Sequence, residues 1–507
     1  MRQRQRLRIV LAVIMALVAV VGSVLVVRPA TRPVAFSDRL HVGGQPYFWA
    51  GVNYPWKSYQ DFGTGAWGYS GVAEPTSAAE IGADFANLAA SGVRVVKWRV
   101  FNDGRYSPEF DARGRVVGLD DRFLADLGAA LEMARRHDIY LVFTLFDSGF
   151  WTTDCAQGGV QLGGHADSLR HWAKRYALLN RAVVPMLRHI GQHPAGDRVL
   201  AFEIISEPEW GIVELHAEED GRVKVPLADV RAFVKEVAQA IHRHTSALAT
   251  VEANRAAHMV HWRGLGLDYY SFSWYDWVEP FEPLDRPATA FGLDRPVVLG
   301  EFPSQGSAYY SLAQIYDIAY RQGYAGAFAW SYGGGDQFGR WDQVVDDFVR
   351  WVNGRWESVK LAGQGAAPTA PVALQPPPYQ FQNVQVVDEE DGRWLQADVH
   401  VKQPGTYRLQ WFLHEAASAP VDASTELTLP FSERVRRLRI QLGDLTEGRP
   451  YKVSLGIFDE GYTLLKWFEG LAVLKAEDGT VRLQEKVLED PCGRRAELDG
   501  EAPGHTS

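Results

Sequence analysis

Eight short apolar runs, each about the length of a β-strand, constrain the fold of this chain more than any other feature. They lie at residues 47–52, 93–101, 139–145, 199–205, 247–251, 269–274, 297–300 and 325–330. Segments with helical periodicity separate most of them, at residues 77–90, 121–137, 166–189, 227–244 and 311–321. Strands that alternate with helices form parallel βαβ units, and eight such strands predict an α/β fold, a closed (β/α)8 TIM barrel.

An open, doubly wound sheet is the alternative arrangement of the same elements. It is disfavoured because no glycine-rich phosphate-binding turn follows the first run. The connection between the third and fourth runs is long and the one between the fifth and sixth is short, and both depart from an ideal βα repeat.

A region of different character follows residues 362–378, which are rich in Ala, Gly and Pro and typical of a semi-extended linker. Short alternating runs with turns between them come next, at residues 381–387, 394–401, 405–413, 425–429, 435–442, 451–458 and 464–474. This pattern predicts a β-sandwich of the immunoglobulin or carbohydrate-binding type. Trp394, Trp411 and Trp467 favour glycan binding, and a spacer that packs on the barrel is the alternative. We expect the barrel over residues 41–361, the sandwich over 379–488 and a polar tail over 489–507.

The N-terminus carries a candidate membrane anchor. Residues 1–8 are rich in Arg, residues 9–27 are apolar apart from one Gly and one Ser, and residues 28–40 form a stem. At ~1.5 Å per residue the apolar segment is roughly 28 Å long, close to the ~30 Å hydrocarbon core of a bilayer. The excess of Arg before the segment places the N-terminus in the cytoplasm. We therefore expect a single-pass anchor with both later domains outside the cytoplasm, and secretion after signal cleavage is the alternative.

Composition limits the partners of the folded part. The formal net charge is −10 and no basic run lies outside the N-terminus, which disfavours nucleic acid. The 17 Trp and 20 Tyr suit stacking on sugar rings, although a Trp-rich core would account for them equally well. Cys155 and Cys492 fall in different predicted domains, so we expect two unpaired thiols. No cysteine or histidine motif with metal-ligand spacing occurs, and the sequence predicts no metal and no cofactor.

Two carboxylates stand where the fourth and seventh runs end. Glu207 lies in the motif Ser-Glu-Pro and Glu301 in the motif Gly-Glu-Phe. Barrel enzymes carry their catalytic groups at the carboxyl ends of the strands. Cleavage of a glycosidic bond requires one carboxyl group to protonate the leaving oxygen and a second to attack the sugar or to activate water. The two acids therefore predict glycosidase chemistry, and ordinary structural acids at a helix start and in a loop are the alternative.

Over about residues 41–355, these motifs resemble the (β/α)8 glycoside hydrolases of the cellulase and β-mannanase type, in particular glycoside hydrolase family 5. The resemblance implies that Glu207 is the acid/base and Glu301 the nucleophile. It also implies retention of the anomeric configuration, with the two carboxyl groups ~5–5.5 Å apart.

The same resemblance implies further site residues. The second strand looks like a β-mannanase segment in which an inward Arg precedes Phe-Asn-Asp; Lys97 occupies the position of that Arg, and Arg99 and Asn102 follow. Because alternation points Lys97 and Arg99 inward, one could hold Glu301 ionised and the other could pair with Glu203, a structural acid.

Aromatic side chains at strand ends complete the expected cleft. By resemblance, Tyr275 donates its hydroxyl to the nucleophile and Trp330 forms the sugar platform. Further candidates to line the cleft follow other strand ends: Trp56, Trp151, Trp210 and Trp277.

Two positions depart from the family pattern. Ser206 stands where the family has an Asn that contacts the sugar 2-hydroxyl, and Ser273 replaces a His. The sequence nevertheless predicts a membrane-anchored, extracytoplasmic retaining glycoside hydrolase acting on a β-linked polysaccharide of the β-mannan or β-glucan type. The alternatives are a non-catalytic glycan-binding or exopolysaccharide-assembly protein on the same barrel, and a transglycosylase.

Overall fold

A computed structural model gives the fold of the chain. It describes residues 34–35, 40–42, 44–57, 61–64, 71–105, 107–157, 160–216, 222–275, 278–279, 281–305, 307, 309–333, 341–361, 367–368, 380–389, 392–401, 403–414, 423–443, 445, 450–462, 464–475 and 481–485. The predicted membrane segment at residues 9–27 lies outside these ranges. Among the described helices, none is both long and apolar enough to cross a bilayer.

Eight parallel strands close into a barrel, as the sequence predicts. They are β1 Trp49–Tyr54, β2 Val95–Asn102, β3 Tyr140–Asp147, β4 Val199–Ser206, β5 Leu248–Ala253, β6 Tyr270–Ser273, β7 Val297–Pro303 and β8 Gly326–Trp330. Each strand pairs with its sequence neighbours, and β8 pairs with β1 to close the ring. The fold prediction of a (β/α)8 barrel is confirmed.

The barrel strands are buried on both faces, which explains their nearly continuous apolar sequences. Every residue of β1, β4, β5 and β6 is buried. A hairpin of Leu40–Val42 and Gln45–Tyr47 packs on a cluster that includes the first residues of several barrel strands, so it covers the amino-terminal end of the barrel. The opposite end is the one at which the candidate catalytic residues lie.

Helices follow most of the strands. They are Pro75–Ala90 after β1, Phe123–Arg136 after β2, Leu227–His244 after β4, Leu312–Arg321 after β7 and Trp341–Asn353 after β8. The long connection after β3 contains Asp167–Arg170, Trp172–Leu178, a π-helical turn at Leu179–Val183 and Val184–Gln192. The short connections after β5 and β6 contain 3-10 turns at Ala256–Trp262 and Ala288–Phe291.

One helix start shows how local sequence fixes a boundary. Ser311 accepts a hydrogen bond from the Gln314 backbone N–H, and the Gln314 side chain accepts one from the Ser311 backbone N–H. This capping box satisfies two N–H groups that have no partner inside the helix.

The C-terminal region consists of two antiparallel sheets. Its strands are β9 Gln380–Glu389, β10 Gly392–His400, β11 Gly405–His414, β12 Ala423–Phe431, β13 Val435–Leu442, β14 Pro450–Phe458, β15 Leu464–Lys475 and β16 Val481–Glu485. The orders are β9-β10-β13 and β12-β11-β14-β15-β16. The sequence predicts seven of these strands and misses β16. One hydrophobic cluster draws on both sheets, including Val399 of β10 and Ile457 of β14. The exact domain boundaries remain a prediction.

The structure corrects the expectation for the cysteines. Cys155, on the strand Asp154–Gln157 that follows β3, is in a disulfide bond, so the predicted unpaired thiol is wrong. The only other cysteine of the chain is Cys492, which lies outside the described residues.

Candidate active site

Both candidate catalytic acids lie at the carboxyl end of the barrel. Glu207 follows β4 directly, and Glu301 is the fifth residue of β7, which continues for two more residues. The negative charge of Glu207 raises the pKa of Glu301, so the two carboxyl groups interact. The structure thus brings together the two acids that the motifs single out.

Glu301 is a buried carboxyl group with one strong donor. The Tyr275 hydroxyl donates a hydrogen bond of 2.6 Å to Oε1 of Glu301. Arg99 Nη2 lies 3.9 Å from Oε2 of the same residue. Burial is the main reason that the pKa of Glu301 is raised, and the charges of Glu252 and Glu207 add to it, whereas Lys97 and Arg99 oppose it.

Glu207 is held in an unusual backbone conformation. Its φ is 49°, in the left-handed region that side-chain-bearing residues rarely adopt, and it precedes the 3-10 turn Pro208–Gly211. Trp210 Nε1 donates a hydrogen bond of 2.9 Å to Oε2 of Glu207. Burial and then the charge of Glu252 raise the pKa of Glu207, while the bond from Trp210 lowers it. A raised pKa is what a general acid at neutral pH requires.

Two inward cations of β2 take different positions, as the sequence predicts. Lys97 lies deep in the barrel, with its Nζ 3.2 Å from Oε2 of Glu203 and 2.7 Å from Oε2 of Glu252. Lys97 is only 3% exposed, which suits an ion-pair partner of these two acids rather than a direct contact with substrate. Arg99 is the cation near Glu301. Glu203 is the structural ion-pair partner that the sequence predicts.

Arg99 also contacts Asp147 and lies beside two tryptophan rings. Its Nη1 donates a hydrogen bond of 3.1 Å to Oδ2 of Asp147. Its guanidinium carbon lies 5.2 Å from the ring centroid of Trp330 and 5.9 Å from that of Trp56. Both rings are partly exposed, which leaves surface for a ligand.

The two serines that depart from the family pattern are buried. Ser206 is 2% exposed, and its hydroxyl donates a hydrogen bond of 3.1 Å to Oε2 of Glu252. The predicted contact of Ser206 with substrate is therefore corrected, because its hydroxyl points into the barrel. Ser273 ends β6 and pairs in register with Glu301 of β7. Asn102, at the end of β2, is 4% exposed and has a φ of 49°.

The tryptophans divide into two groups. Trp56, Trp210 and Trp330 are partly exposed at strand ends, where they can line a cleft. Trp151 is completely buried, and its Nε1 donates a hydrogen bond of 3.0 Å to the Gly211 carbonyl. Its predicted role in the cleft is therefore wrong, because a core side chain cannot reach substrate. Trp277 lies outside the described residues.

Two acids of the site escape the sequence reasoning. Glu252 is the fifth residue of β5 and is completely buried. Asp147 ends β3 and pairs with Arg99. The predicted fifth run stops at residue 251 and the predicted third at residue 145, so both acids fall just beyond. Both are acids at the carboxyl end of a strand, at positions where alternation points the side chain into the barrel. The same pattern identifies Glu301.

The described residues include no group of three or more His, Cys, Asp or Glu side chains able to hold a metal ion. These residues do offer carboxyl chemistry. Glu207 has a tryptophan donor and Glu301 has a tyrosine donor. The guanidinium of Arg99 lies between Glu301 and the ring of Trp330. Such a set can transfer a proton and stabilise a positively charged sugar ring.

Two known proteins of similar sequence are mannan endo-1,4-beta-mannosidases. A mannan endo-1,4-beta-mannosidase of Cryptopygus antarcticus is 26% identical over 345 residues, which are 59% of this chain and 84% of that protein. The corresponding enzyme of Mytilus edulis is 24% identical over 336 residues, 58% of this chain and 85% of that protein. No family model matches the chain.

Solved structures share the fold. The endo-1,4-beta-mannanase of Eisenia fetida superimposes with a TM-score of 0.53 at 22% identity, covering 68% of this chain and 100% of that one. The resemblance predicted from the motifs is therefore confirmed: the chain shares its fold with a β-mannanase, and its similarity in sequence to mannan endo-1,4-beta-mannosidases supports a glycosidase.

Proposed function

We propose that the chain is a retaining glycoside hydrolase that cleaves a β-linked polysaccharide of the β-mannan type, with Glu207 as acid/base and Glu301 as nucleophile. The observation that carries the proposal is the pair of donors on the two acids. Tyr275 donates to Glu301 at 2.6 Å and Trp210 donates to Glu207 at 2.9 Å. These contacts fix both carboxyl groups at the same end of the barrel.

In the first step Glu207 protonates the glycosidic oxygen while Oε2 or Oε1 of Glu301 attacks the anomeric carbon, which gives a glycosyl-enzyme and releases the first product. In the second step Glu207, now ionised, takes a proton from water as the water attacks the same carbon, and Glu301 is released. Because each step inverts the anomeric carbon, the overall result is retention.

The neighbouring residues suit these two roles. Glu301 must be ionised to attack, and Arg99 and the Tyr275 hydroxyl favour its ionised form. Glu207 must carry a proton in the first step, and burial favours its protonated form. Trp330 offers a partly exposed ring beside Arg99 on which a sugar can stack.

The choice of β-mannan rests on relatives whose names state that they act on mannan. Purified protein lacking residues 1–30 should therefore be incubated with β-1,4-manno-oligosaccharides and cello-oligosaccharides of defined length. We expect cleavage of the manno-series, and proton NMR of early products should show the β-anomer first.

Variants of the two proposed catalytic acids, compared with a variant of another buried acid, test the assignment. Glu207→Gln and Glu301→Gln should each lose at least ~10³-fold in kcat/KM on a natural oligosaccharide, since each removes an essential proton or nucleophile. Glu279→Gln is the control. Glu279 is also buried and accepts hydrogen bonds from Trp274, Leu284 and Tyr310, but it has no role in the proposed reaction. Undiminished cleavage by either catalytic variant would contradict the assignment.

A second candidate function, glycan binding without cleavage, is favoured by Ser206. Its hydroxyl is bound to Glu252 at 3.1 Å, and Ser stands where the resembling family has an Asn for the sugar 2-hydroxyl. A protein that binds glycan without cleaving it would bind manno-oligosaccharides in calorimetry and release no product. Binding that persists in Glu301→Gln, with no turnover in the unmodified chain, would favour this alternative.

We propose further that the protein is held at the outer face of a cell membrane by residues 9–27. The proposal rests on the apolar length of this segment and on the Arg residues that precede it. Membrane fractionation of the full chain, followed by protease treatment of intact cells, tests it. Recovery of the whole protein in the soluble fraction without loss of the N-terminus would contradict it.

A further inference from the structure

A third carboxylate connects the two candidate catalytic acids. Glu252 of β5 accepts hydrogen bonds at one oxygen, Oε2, from Lys97 at 2.7 Å and from Ser206 at 3.1 Å. Its backbone carbonyl accepts a bond of 2.8 Å from the Glu207 N–H. Glu252 therefore holds the residue before the proposed acid/base by its side chain and the acid/base itself by its backbone.

The other oxygen of Glu252 faces the proposed nucleophile's strand. A side chain added at Gly300, directly before Glu301, would collide with Oε1 of Glu252 and with the Ser271 hydroxyl. Within the described part of the chain, Oε1 of Glu252 and Oε2 of Glu301 are both buried and accept no hydrogen bond. A buried carboxyl oxygen without a donor is costly, and here neither oxygen is screened by a hydrogen bond from a neighbouring side chain.

Charge in this part of the barrel is unbalanced. The ionisable groups around Glu252 come from four strands: Lys97 and Arg99 of β2, Glu203 and Glu207 at β4, Tyr269 before β6 and Glu301 of β7. Together with Glu252 itself, four carboxyl groups thus face two cations, and Arg99 also forms an ion pair with Asp147. Because an excess of buried negative charge is unfavourable, the pKa values of Glu203, Glu207 and Glu301 are all raised.

We propose that Glu252 is a positioning residue of the reaction: it orients Ser206 and Lys97 beneath Glu207 and Glu301 and sets the electrostatic field in which Glu207 transfers protons and Glu301 attacks the sugar. The inference rests on the proposed function. Its charge is the largest single contribution from another residue to the raised pKa of both acids. In this chain, a carboxylate below the site therefore tunes the acid/base and the nucleophile together.

The experiment compares pH profiles of kcat/KM for the unmodified protein, Glu252→Gln and Glu203→Gln. Removal of the Glu252 charge should lower the pKa of both acids, so both limbs of the bell-shaped profile should move to lower pH by roughly one to two units. Glu203→Gln changes the other carboxyl group that binds Lys97, one layer deeper, and we expect a clearly smaller shift. A purely structural role for Glu252 would lower the rate and leave the limbs in place, which would overturn the proposal. Equal shifts in both variants would also overturn it, since they would reflect net charge alone.

A second measurement does not need catalysis. Infrared difference spectra of protein labelled with 13C-glutamate record the protonated and ionised carboxyl bands as pH changes. The titrating signal that disappears in Glu207→Gln or Glu301→Gln identifies those two groups, and it should move to lower pH in Glu252→Gln. An unmoved signal in a folded Glu252→Gln protein refutes the inference. If the signal moves but no glycan is cleaved, the proposed function fails and the role of Glu252 stands.

Discussion

The Tyr275 hydroxyl lies 2.6 Å from Oε1 of Glu301 and donates a hydrogen bond to it, which ties the loop after β6 to the carboxylate of β7. Tyr275 is 6% exposed, so this bond is shielded from water. Hydrogen bonds to charged groups contribute about 1.5–3 kcal/mol, more than those between neutral groups. The Tyr275 hydroxyl therefore favours the ionised form of the proposed nucleophile.

Tyr275→Phe should lower kcat about tenfold to a hundredfold, because the transition state loses a donor that fixes the nucleophile. A bond to the ionised form lowers a pKa, so its loss should raise the pKa of Glu301 and move the acidic limb of the pH profile to higher pH. Steady-state kinetics between pH 4 and 9 measures both effects. An unchanged acidic limb would show that another group controls ionisation of Glu301.

Trp210→Phe tests the acid/base in the opposite part of the profile. The Trp210 bond lowers the pKa of Glu207, so its loss should raise that pKa and move the basic limb to higher pH by up to about one unit. The acidic limb should stay in place, since Trp210 does not contact Glu301 through any described bond. Movement of the acidic limb alone would contradict the assignment of Glu207 as the acid.

Gly300→Ala should damage the site by steric conflict alone. The added methyl group would collide with the side chains of Glu252 and Ser271, at a cost of about 1–3 kcal/mol for an overpacked interior. Gly118→Ala is the matched control, because nothing lies within 4 Å of a Cβ at that position. Thermal melting and kcat should both fall for the first variant and stay nearly unchanged for the second. Equal melting temperatures for the two variants would show that the barrel relaxes around the methyl group.

The raised pKa of Glu209 predicts how the free energy of unfolding depends on pH. Burial raises the pKa of Glu209 to about 7 from an ordinary value of 4.5. Between these values the folded state binds a proton that the unfolded state has lost, so the free energy of unfolding falls as pH rises. Glu209→Gln keeps an acceptor for the Trp262 N–H and removes this titration. Its stability should therefore decline less than that of the unmodified protein between pH 5 and 7.5, by about 1–3 kcal/mol.

Melting temperatures at closely spaced pH values measure that difference. Glu203, Glu207 and Glu301 also have raised pKa values, but they titrate in both proteins and cancel in the comparison. Parallel stability curves would mean that Glu209 is ionised in the folded state.

The sequence predicts the barrel well because its signal is local and repeated. All eight barrel strands form within a few residues of the predicted runs, and the helix Leu227–His244 begins and ends where the periodicity does. Apolar, β-branched runs between amphipathic segments can bury both faces of a sheet only in this kind of layered fold. The motifs at Glu207 and Glu301 are equally local, since Glu207 directly follows β4 and Glu301 lies two residues before the end of β7.

The sequence predicts contacts between strands less well. It places Lys97 and Arg99 on one face of β2 by alternation, but it cannot say that Lys97 sits between Glu203 and Glu252 while Arg99 reaches Asp147 and Trp330. It also counts Trp151 with the cleft, whereas packing against Gly211 places that ring in the core. These errors share a cause: the depth of a side chain depends on residues that are distant along the chain.

By itself, therefore, the sequence determined the eight-stranded barrel and the two acids at its carboxyl end, because hydrophobic period and strand ends are properties of neighbouring residues. Only the tertiary structure decided which groups surround those acids. Closing the ring brings β2, β4, β5 and β7 to a common interior, and there Glu252 meets Lys97, Ser206 and the backbone of Glu207. Burial of that group in a low-dielectric interior, which no single segment encodes, sets the charges with which the two acids work.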